Sequence, residues 1–236
     1  TYREWARRIY QLARAVQEAG YGGKHVAVLA PNTHGGLLTY SAVPWAGSVL
    51  VPLNTRLTPE EYEFQLRHAE VKLLLVDESL HDRVAKVAGD HGIEVWVMGK
   101  ADGAGQDFEA RLAAQDDSPL ALPEIDEDDT ITINFTSGTT SDPKGVMISH
   151  RAAFLNLTNL LYHLDLRPGA QVLHTVPLAH SNGWGMAWAV TAAGGTHHTL
   201  PDPAGLRPVL ESGIVTHLCA SPAWLSPLLE GGRSGG

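Results

Sequence analysis

Cysteine is nearly absent from this sequence, since Cys219 is the only one among 236 residues. A single thiol can form neither an internal disulfide nor a metal site built from several thiolates, which predicts a protein of the reducing cytoplasm. Zinc-site spacings are missing too. The sequence has no His-Glu-x-x-His and no Cys-x-x-Cys, and the adjacent His197 and His198 have no third ligand at a suitable spacing. A zinc enzyme is therefore not indicated.

Basic residues and long apolar runs are also scarce. The 17 lysines and arginines stand against 26 acidic residues, giving a formal net charge of −9. This balance argues against nucleic acid or an anionic membrane surface as the main partner. The longest mostly apolar stretch, around Met186 to Ala193, is far shorter than the roughly 20 residues needed to cross a bilayer.

What the sequence does contain is a regular alternation of apolar strands and helices. Segments such as 71–77 and 93–98 are apolar almost throughout, and helical patterns separate them. Continuous apolar strands are typical of a parallel sheet covered on both faces. We therefore predict an α/β fold of stacked, mainly parallel sheets flanked by helices. Residues 99–129 break the pattern with Gly, Ala, Asp and Pro and end in an acidic run, which predicts an exposed connection.

The most informative stretch, residues 134–150, reads Asn-Phe-Thr-Ser-Gly-Thr-Thr-Ser-Asp-Pro-Lys-Gly-Val-Met-Ile-Ser-His. Its hydroxyls and flexible backbone can surround phosphate oxygens, and Lys144 adds a compact positive charge. The stretch is not a Walker loop, because Lys144 is followed by Gly145 and not by the Ser or Thr that holds magnesium. Both flanks have the pattern of strands, so we predict a phosphate-binding loop at the tip of a hairpin.

The segment from Phe135 to Gly145 resembles the signature of the adenylate-forming superfamily, which includes acyl-CoA synthetases, firefly luciferases and the adenylation domains of peptide synthetases. Residues 1–5, 45–54 and 177–185 are similar to three further motifs of that superfamily, in the same order. The last of them, Pro-Leu-Ala-His-Ser-Asn-Gly-Trp-Gly, resembles fatty-acyl-CoA synthetases more than peptide-synthetase domains. The resemblance implies that residues 1–236 are the N-terminal portion of an AMP-binding domain, without the family's C-terminal lysine-bearing domain.

The resemblance also implies roles for individual residues. It assigns binding of the ATP phosphates to Thr136, Ser137, Gly138, Thr139, Thr140 and Lys144, with Mg²⁺ held at Thr140. It places His180 beside the acyl carboxylate and the nucleotide phosphate, and the acyl group along Asn182, Gly183, Trp184 and Gly185. Lys144 and His180 are the predicted catalytic residues.

The function implied is that of an ATP-dependent acyl-CoA synthetase with CoA as cosubstrate, acting on a fatty or similarly apolar acid, and compatible with a homodimer. Two alternatives stay open. Ser141 stands where the family usually has glycine, and a strained loop would favour an enzyme that makes the thioester from preformed acyl-adenylate. The other alternative is a non-catalytic nucleotide-binding fragment. We expect the 236-residue chain to be inactive by itself, because the family's catalytic lysine and ribose-binding aspartate lie outside it.

Overall fold

A computed structural model describes residues 1–99, 106–136, 143–180, 183–200 and 205–230. The described residues form helices that alternate with short strands. In chain order these are α1 (Tyr2–Glu18), β1 (His25–Leu29), α2 (His34–Trp45), β2 (Val49–Pro52), α3 (Pro59–His68), β3 (Leu73–Asp77), α4 (His81–Asp90), β4 (Glu94–Met98), β5 (Gln106–Asp107), α5 (Phe108–Ala113), β6 (Thr130–Thr136), β7 (Lys144–Ser149), α6 (His150–His163), β8 (Gln171–His174), α7 (Trp184–Ala192), β9 (Thr196–Thr199), α8 (Leu206–Glu211), β10 (His217–Cys219) and α9 (Pro222–Glu230).

The chain divides into two compact units. The first comprises Thr1–Pro31 and Gly35–Phe154, and the second comprises Asn32–His34 and Leu155–Gly236. The first unit contains a seven-stranded sheet in the order β5-β4-β3-β1-β2-β6-β7, and the second contains a three-stranded sheet in the order β10-β8-β9. All neighbouring strands are parallel except β6 and β7. The predicted α/β fold with mainly parallel sheets is thus confirmed.

Helix starts in the first unit follow the capping chemistry of the sequence. Thr58 caps α3 by accepting a hydrogen bond from the backbone N–H of Glu61 at 3.3 Å, and the Glu61 carboxylate accepts from the backbone N–H of Thr58 at 2.8 Å. Pro59 occupies the first turn, where its missing N–H costs nothing. The same reciprocal arrangement joins Thr1 and Glu4 at the start of α1. These caps satisfy backbone donors that a helix end otherwise leaves without partners.

The strands of the large sheet are buried because helices cover them. Residues 73–76 of β3 are inaccessible to solvent, and so are most residues of β1. On one face of the sheet, Leu74 and Val76 of β3 join a core that also includes Tyr62 and Leu66 from α3 and Val84 from α4. A fully buried leucine in such a core is worth about 1.5–3 kcal/mol relative to an exposed one. Burial of both sheet faces explains why residues 26–29 of β1 and 73–76 of β3 are all apolar.

The predicted exposed connection at residues 99–129 needs one correction. Residues 106–113 form β5 and α5, and Phe108 and Leu112 are buried one helical turn apart. The Arg8 guanidinium of α1 donates to both carboxylate oxygens of Glu109, at 3.0 and 2.7 Å. Only two apolar side chains mark this helix, so the pattern was too short to indicate it. Most residues from 114 to 129 are exposed, as predicted.

The exposed part of that connection is nevertheless held in place. Arg14 donates hydrogen bonds to the backbone carbonyls of Asp116 and Ser118 at 2.6 and 2.8 Å. At the acidic end, the Arg151 side chain donates to the Glu127 carboxylate at 2.7 Å, and the Arg151 backbone N–H donates to the Glu127 carbonyl at 2.8 Å. The acidic run therefore anchors the start of α6. Among the described residues, no group of three or more His, Cys, Asp or Glu side chains could hold a metal ion.

Candidate active site

The predicted phosphate loop is the tip of the antiparallel hairpin formed by β6 and β7. Thr136 and Lys144 lie opposite each other in register and form the base of the loop. Ser137, Gly138, Thr139, Thr140 and Ser141 lie outside the described residues, and so does the predicted Mg²⁺ ligand position at Thr140. The hairpin confirms that Lys144 begins a strand and not a helix. A Walker loop, which leads from a strand into a helix, is thereby excluded.

Lys144 is exposed at the base of the loop, and no acidic side chain of the described ranges pairs with it. Its charge is therefore available to an anionic ligand. Gly145, the next residue, packs against the core side of β6. A Cβ at this position would lie 3.1 Å from Cγ2 of Ile133 and 3.5 Å from the ring of Phe135. This close packing keeps the two strands together directly beneath the loop.

The other face of β6 carries polar side chains that are buried. Thr132 is 1% exposed and Asn134 is 5% exposed, and the Thr132 hydroxyl donates to Oδ1 of Asn134 at 2.9 Å. Nδ2 of Asn134 is buried and has no hydrogen-bond partner among the described residues. A buried donor without a partner costs about 1–3 kcal/mol, so within the described residues this amide carries a desolvation cost close to the loop. Sequence reasoning missed it, although the alternation Thr130, Thr132, Asn134, Thr136 marks the polar face.

A second predicted site lies in the turn between β8 and α7. The backbone N–H of His180 donates to the Pro177 carbonyl at 2.9 Å, and the His180 carbonyl accepts from the N–H groups of Gly183 and Trp184 at 2.7 and 3.1 Å. His180 is exposed at this turn, whereas Trp184 is buried and stacks edge to face with Trp188, with ring centroids 5.2 Å apart. Asn182 lies outside the described residues. The structure thus brings His180, Gly183, Trp184 and Gly185 together at the start of one helix.

Two glycines of this motif lie where there is little room for a side chain. A Cβ on Gly183 would overlap the backbone carbonyl of Pro177 and lie 3.2 Å from Cα of Leu178. A Cβ on Gly185 would overlap Oδ1 of Asn156 and lie 3.0 Å from Cδ1 of Leu160, both side-chain atoms of α6. Gly183 has φ of −105°, which other residues adopt easily. Close packing, and not an unusual backbone conformation, therefore explains why both positions hold glycine.

Asn32 holds the chain that leads into this turn. Its Nδ2 donates to the carbonyls of His174 and Val176 at 3.0 and 2.9 Å, and its Oδ1 accepts from the backbone N–H of Leu178 at 3.0 Å. The side chain is 7% exposed, so its bonds are protected from water. Asn32 is 142 residues from His174 in sequence, and no local pattern predicts this contact.

Comparison with known proteins decides the family. A model of the AMP-binding enzymes matches residues 1–235. The chain belongs to the AMP-binding enzyme family. Over 216 residues it is 34% identical to the probable acyl-activating enzyme 12, peroxisomal, of Arabidopsis thaliana, covering 82% of this chain and 37% of that protein. Over 235 residues it is 32% identical to 4-hydroxybutyrate–CoA ligase 2 of Metallosphaera sedula, covering 93% of this chain and 42% of that protein.

Solved structures show the same fold. The apo form of MatB from Rhodopseudomonas palustris superposes with a TM-score of 0.84 at 28% identity, covering 98% of this chain and 46% of that one. A putative long-chain-fatty-acid CoA ligase of Rhodopseudomonas palustris gives a TM-score of 0.87 at 26% identity, covering 98% and 58%. This AMP-binding family chain thus spans about two fifths of the length of its first curated relatives. The described helices include none that is long and apolar enough to cross a membrane.

The second unit of this AMP-binding family chain also contains a pair of histidines, of which His174 is buried and His197 is half-buried. Nε2 of His174, at the carboxyl end of β8, lies 2.9 Å from Nδ1 of His197 on β9, and the two rings stack. Nε2 of His197 lies 2.9 Å from the hydroxyl of Thr191 on α7. Burial and the neighbouring His198 lower the pKa of His174 to about 4. Burial, with His174 and His198 close by, lowers the pKa of His197 to about 3. Both rings are therefore neutral at pH 7.

These lowered pKa values make the stability of the second unit depend on pH. Between pH 6.5 and pH 4 the unfolded chain binds protons that the folded pair does not, so the free energy of unfolding falls as the pH falls. If the pair accounts for one proton, we expect the free energy of unfolding to fall by about 2 kcal/mol between pH 6.5 and pH 5. Hydrogen exchange of the β8 and β9 amides at a series of pH values measures this loss.

Two variants provide the comparison for the pH series. His197→Gln should flatten the pH dependence of the free energy of unfolding, because it removes the ring whose pKa is lowered furthest and leaves only His174 to titrate. His163→Gln, which changes an exposed histidine on α6, should leave the pH dependence unchanged. An identical pH dependence in the wild type and in His197→Gln would show that the histidine pair does not control acid stability.

Proposed function

We propose that the protein to which this chain belongs activates a carboxylic acid with ATP and transfers the acyl group to the thiol of CoA. The observation that carries the proposal is the exposed Lys144 facing Thr136 at the base of the β6–β7 loop, in a chain of the AMP-binding enzyme family. The sequence of the loop supplies backbone N–H groups, hydroxyls and the charge of Lys144, all of which suit the binding of a triphosphate.

The proposed reaction has two steps. A carboxylate oxygen attacks the α-phosphorus of ATP, a P–O bond breaks, and pyrophosphate leaves to give an acyl-adenylate. The CoA thiolate then attacks the acyl carbon and AMP leaves. In the first step Lys144 would stabilise the negative charge that develops on pyrophosphate, with Thr136 and residues 137–140 binding the same phosphates. His180 would orient the acyl carboxylate. Mg²⁺, which neutralises phosphate charge, is part of the proposal, with Thr140 as its predicted protein ligand.

The acid is proposed to be small and largely apolar. The names of relatives include a benzoate–CoA ligase, a butyrate–CoA ligase and a 4-hydroxybutyrate–CoA ligase, which supports short and aromatic acids ahead of long-chain fatty acids. The buried Trp184 and the apolar helix α7, next to the His180 turn, offer an apolar surface to such an acid. The predicted homodimer and the predicted cytoplasmic location stay predictions.

The test uses the full-length protein with a panel of short, aromatic and long-chain acids. We expect acid-dependent release of pyrophosphate from ATP, followed by formation of the CoA thioester. Thioester formation from supplied acyl-adenylate, without pyrophosphate release from any acid, would favour the alternative based on Ser141. ATP binding with neither activity would favour a nucleotide-binding module and would contradict the proposal.

A further inference from the structure

A small cavity lies at the carboxyl end of the second sheet, within the second unit. It is lined by His174 at the end of β8, by Val176 two residues later, by Gly183 and Met186 at the start of α7, and by Cys219 at the end of β10. The carboxyl ends of parallel strands are where α/β folds bind ligands. The cavity has room for about one water-sized group. Gly183 belongs to the predicted acyl site, so the cavity is next to the place proposed for the acyl group.

Hydrogen-bond geometry fixes where the protons of the histidine pair lie. The Thr191 hydroxyl donates its one proton to the Ala187 carbonyl at 2.9 Å, so it accepts from Nε2–H of His197. In a neutral ring, Nδ1 of His197 then carries no proton and accepts from Nε2–H of His174 at 2.9 Å. A neutral His174 consequently has a bare lone pair on Nδ1.

That lone pair has no hydrogen-bond partner among the described residues. His174 is 4% exposed and is one of the residues that line the cavity. The other polar side chains of the lining do not supply a donor to it: the Thr175 hydroxyl donates to the backbone carbonyl of Cys219, and the thiol of Cys219 is a weak donor. Burial keeps the pKa of His174 near 4, so Nδ1 stays an acceptor at neutral pH.

We propose that His174 is a specificity-determining residue whose Nδ1 accepts a hydrogen bond from a hydroxyl or N–H group at the buried end of the acyl substrate. This assignment rests on the proposed acyl-CoA ligase function and narrows its substrate class to acids with a hydrogen-bond donor away from the carboxylate. A methyl group of the same size would fill the cavity but leave the buried lone pair without a partner. A buried polar group in an otherwise apolar site therefore favours the acid with the hydrogen-bond donor over the acid with the methyl group.

The experiment compares pairs of acids in the full-length protein. Short ω-hydroxy acids of increasing length, and a para-hydroxy aromatic acid, are each measured against the acid in which methyl replaces the hydroxyl. At the chain length that reaches the cavity we expect kcat/KM to favour the hydroxy acid by about fivefold to tenfold. Turnover of the methyl acids with no preference at any length would overturn the role of His174 but leave the proposed function intact. No turnover of any acid would overturn both.

Two substitutions separate substrate binding from structural support. His174→Gln can keep a donor near the position of Nε2, and therefore the bond to His197, but has no acceptor at the position of Nδ1. His174→Asn places an acceptor near Nδ1 but does not reach His197. We expect Gln to retain most of the thermal stability and lose the preference for hydroxy acids, and Asn to lower the melting temperature and retain the preference. The reverse pattern, with preference following stability, would show that His174 only supports the fold.

Discussion

Gly183→Ala is expected to lower the free energy of unfolding by about 3 kcal/mol, whereas Gly185→Ala should cost about 1 kcal/mol or less. The difference follows from what each new methyl group would meet. At Gly183 it overlaps the Pro177 carbonyl, which is backbone and is fixed by its own hydrogen bond from His180. At Gly185 it meets the ends of two side chains on α6, which can rotate away.

Urea unfolding of the full-length protein with both variants measures the two costs. The same experiment has a functional arm, because moving the Pro177 carbonyl also moves the turn that carries His180. We expect Gly183→Ala to lower kcat/KM for the acid as well. Equal losses of stability for the two variants would show that the Pro177–Leu178 backbone adjusts as easily as the side chains of Asn156 and Leu160.

The sequence predicted the helices and strands of the first unit closely, for a physical reason. Where a strand is buried on both faces, as residues 73–76 of β3 are, a continuous apolar run marks the segment as a strand. Capping residues such as Thr58 fix helix starts equally well, because their hydrogen bonds are local in sequence. The hairpin with Lys144 at its base was predicted from the same kind of local information, namely two apolar flanks around a run of small polar residues.

Some element ends were predicted less accurately. The apolar pattern favours a helix over residues 181–193, but α7 begins at Trp184, because His180 and Gly183 form a hydrogen-bonded turn before it. The sequence pattern favours a strand over residues 214–220, but β10 comprises only His217–Cys219, because its partner β8 ends at His174. The end of β10 is therefore set by a strand that is distant in the sequence, whereas the start of α7 is set by a local turn that the apolar pattern does not show.

The candidate site shows the same division between local and distant information. Lys144 and His180 were identified because each lies in a contiguous motif. Asn32 and the His174–His197 pair were missed, since their partners lie on other elements. The sequence does show His197 beside His198, but the ring that meets His197 is 23 residues away on a neighbouring strand. A pairing of this kind becomes visible only when the order and register of β8 and β9 are known.

Lys144→Ala is expected to lower kcat/KM for acid-dependent pyrophosphate release from ATP by about 100-fold. The reason is that the proposed partner of the lysine, the β- and γ-phosphates, carries the charge that grows as pyrophosphate leaves. The acyl-adenylate lacks those phosphates, so thioester formation from supplied acyl-adenylate should fall by no more than about threefold. Both rates are measured in the full-length protein with the same acid and the same CoA concentration.

Lys72→Ala provides the matched control, because Lys72 is also an exposed lysine next to a strand of the first unit and lies outside the candidate site. It should leave both rates unchanged. Since Lys144 is exposed and pairs with no described acidic side chain, neither alanine variant should shift the melting temperature appreciably. An equal loss of both rates in Lys144→Ala, at unchanged stability, would place the lysine on the adenylate itself and contradict its assignment to the departing pyrophosphate.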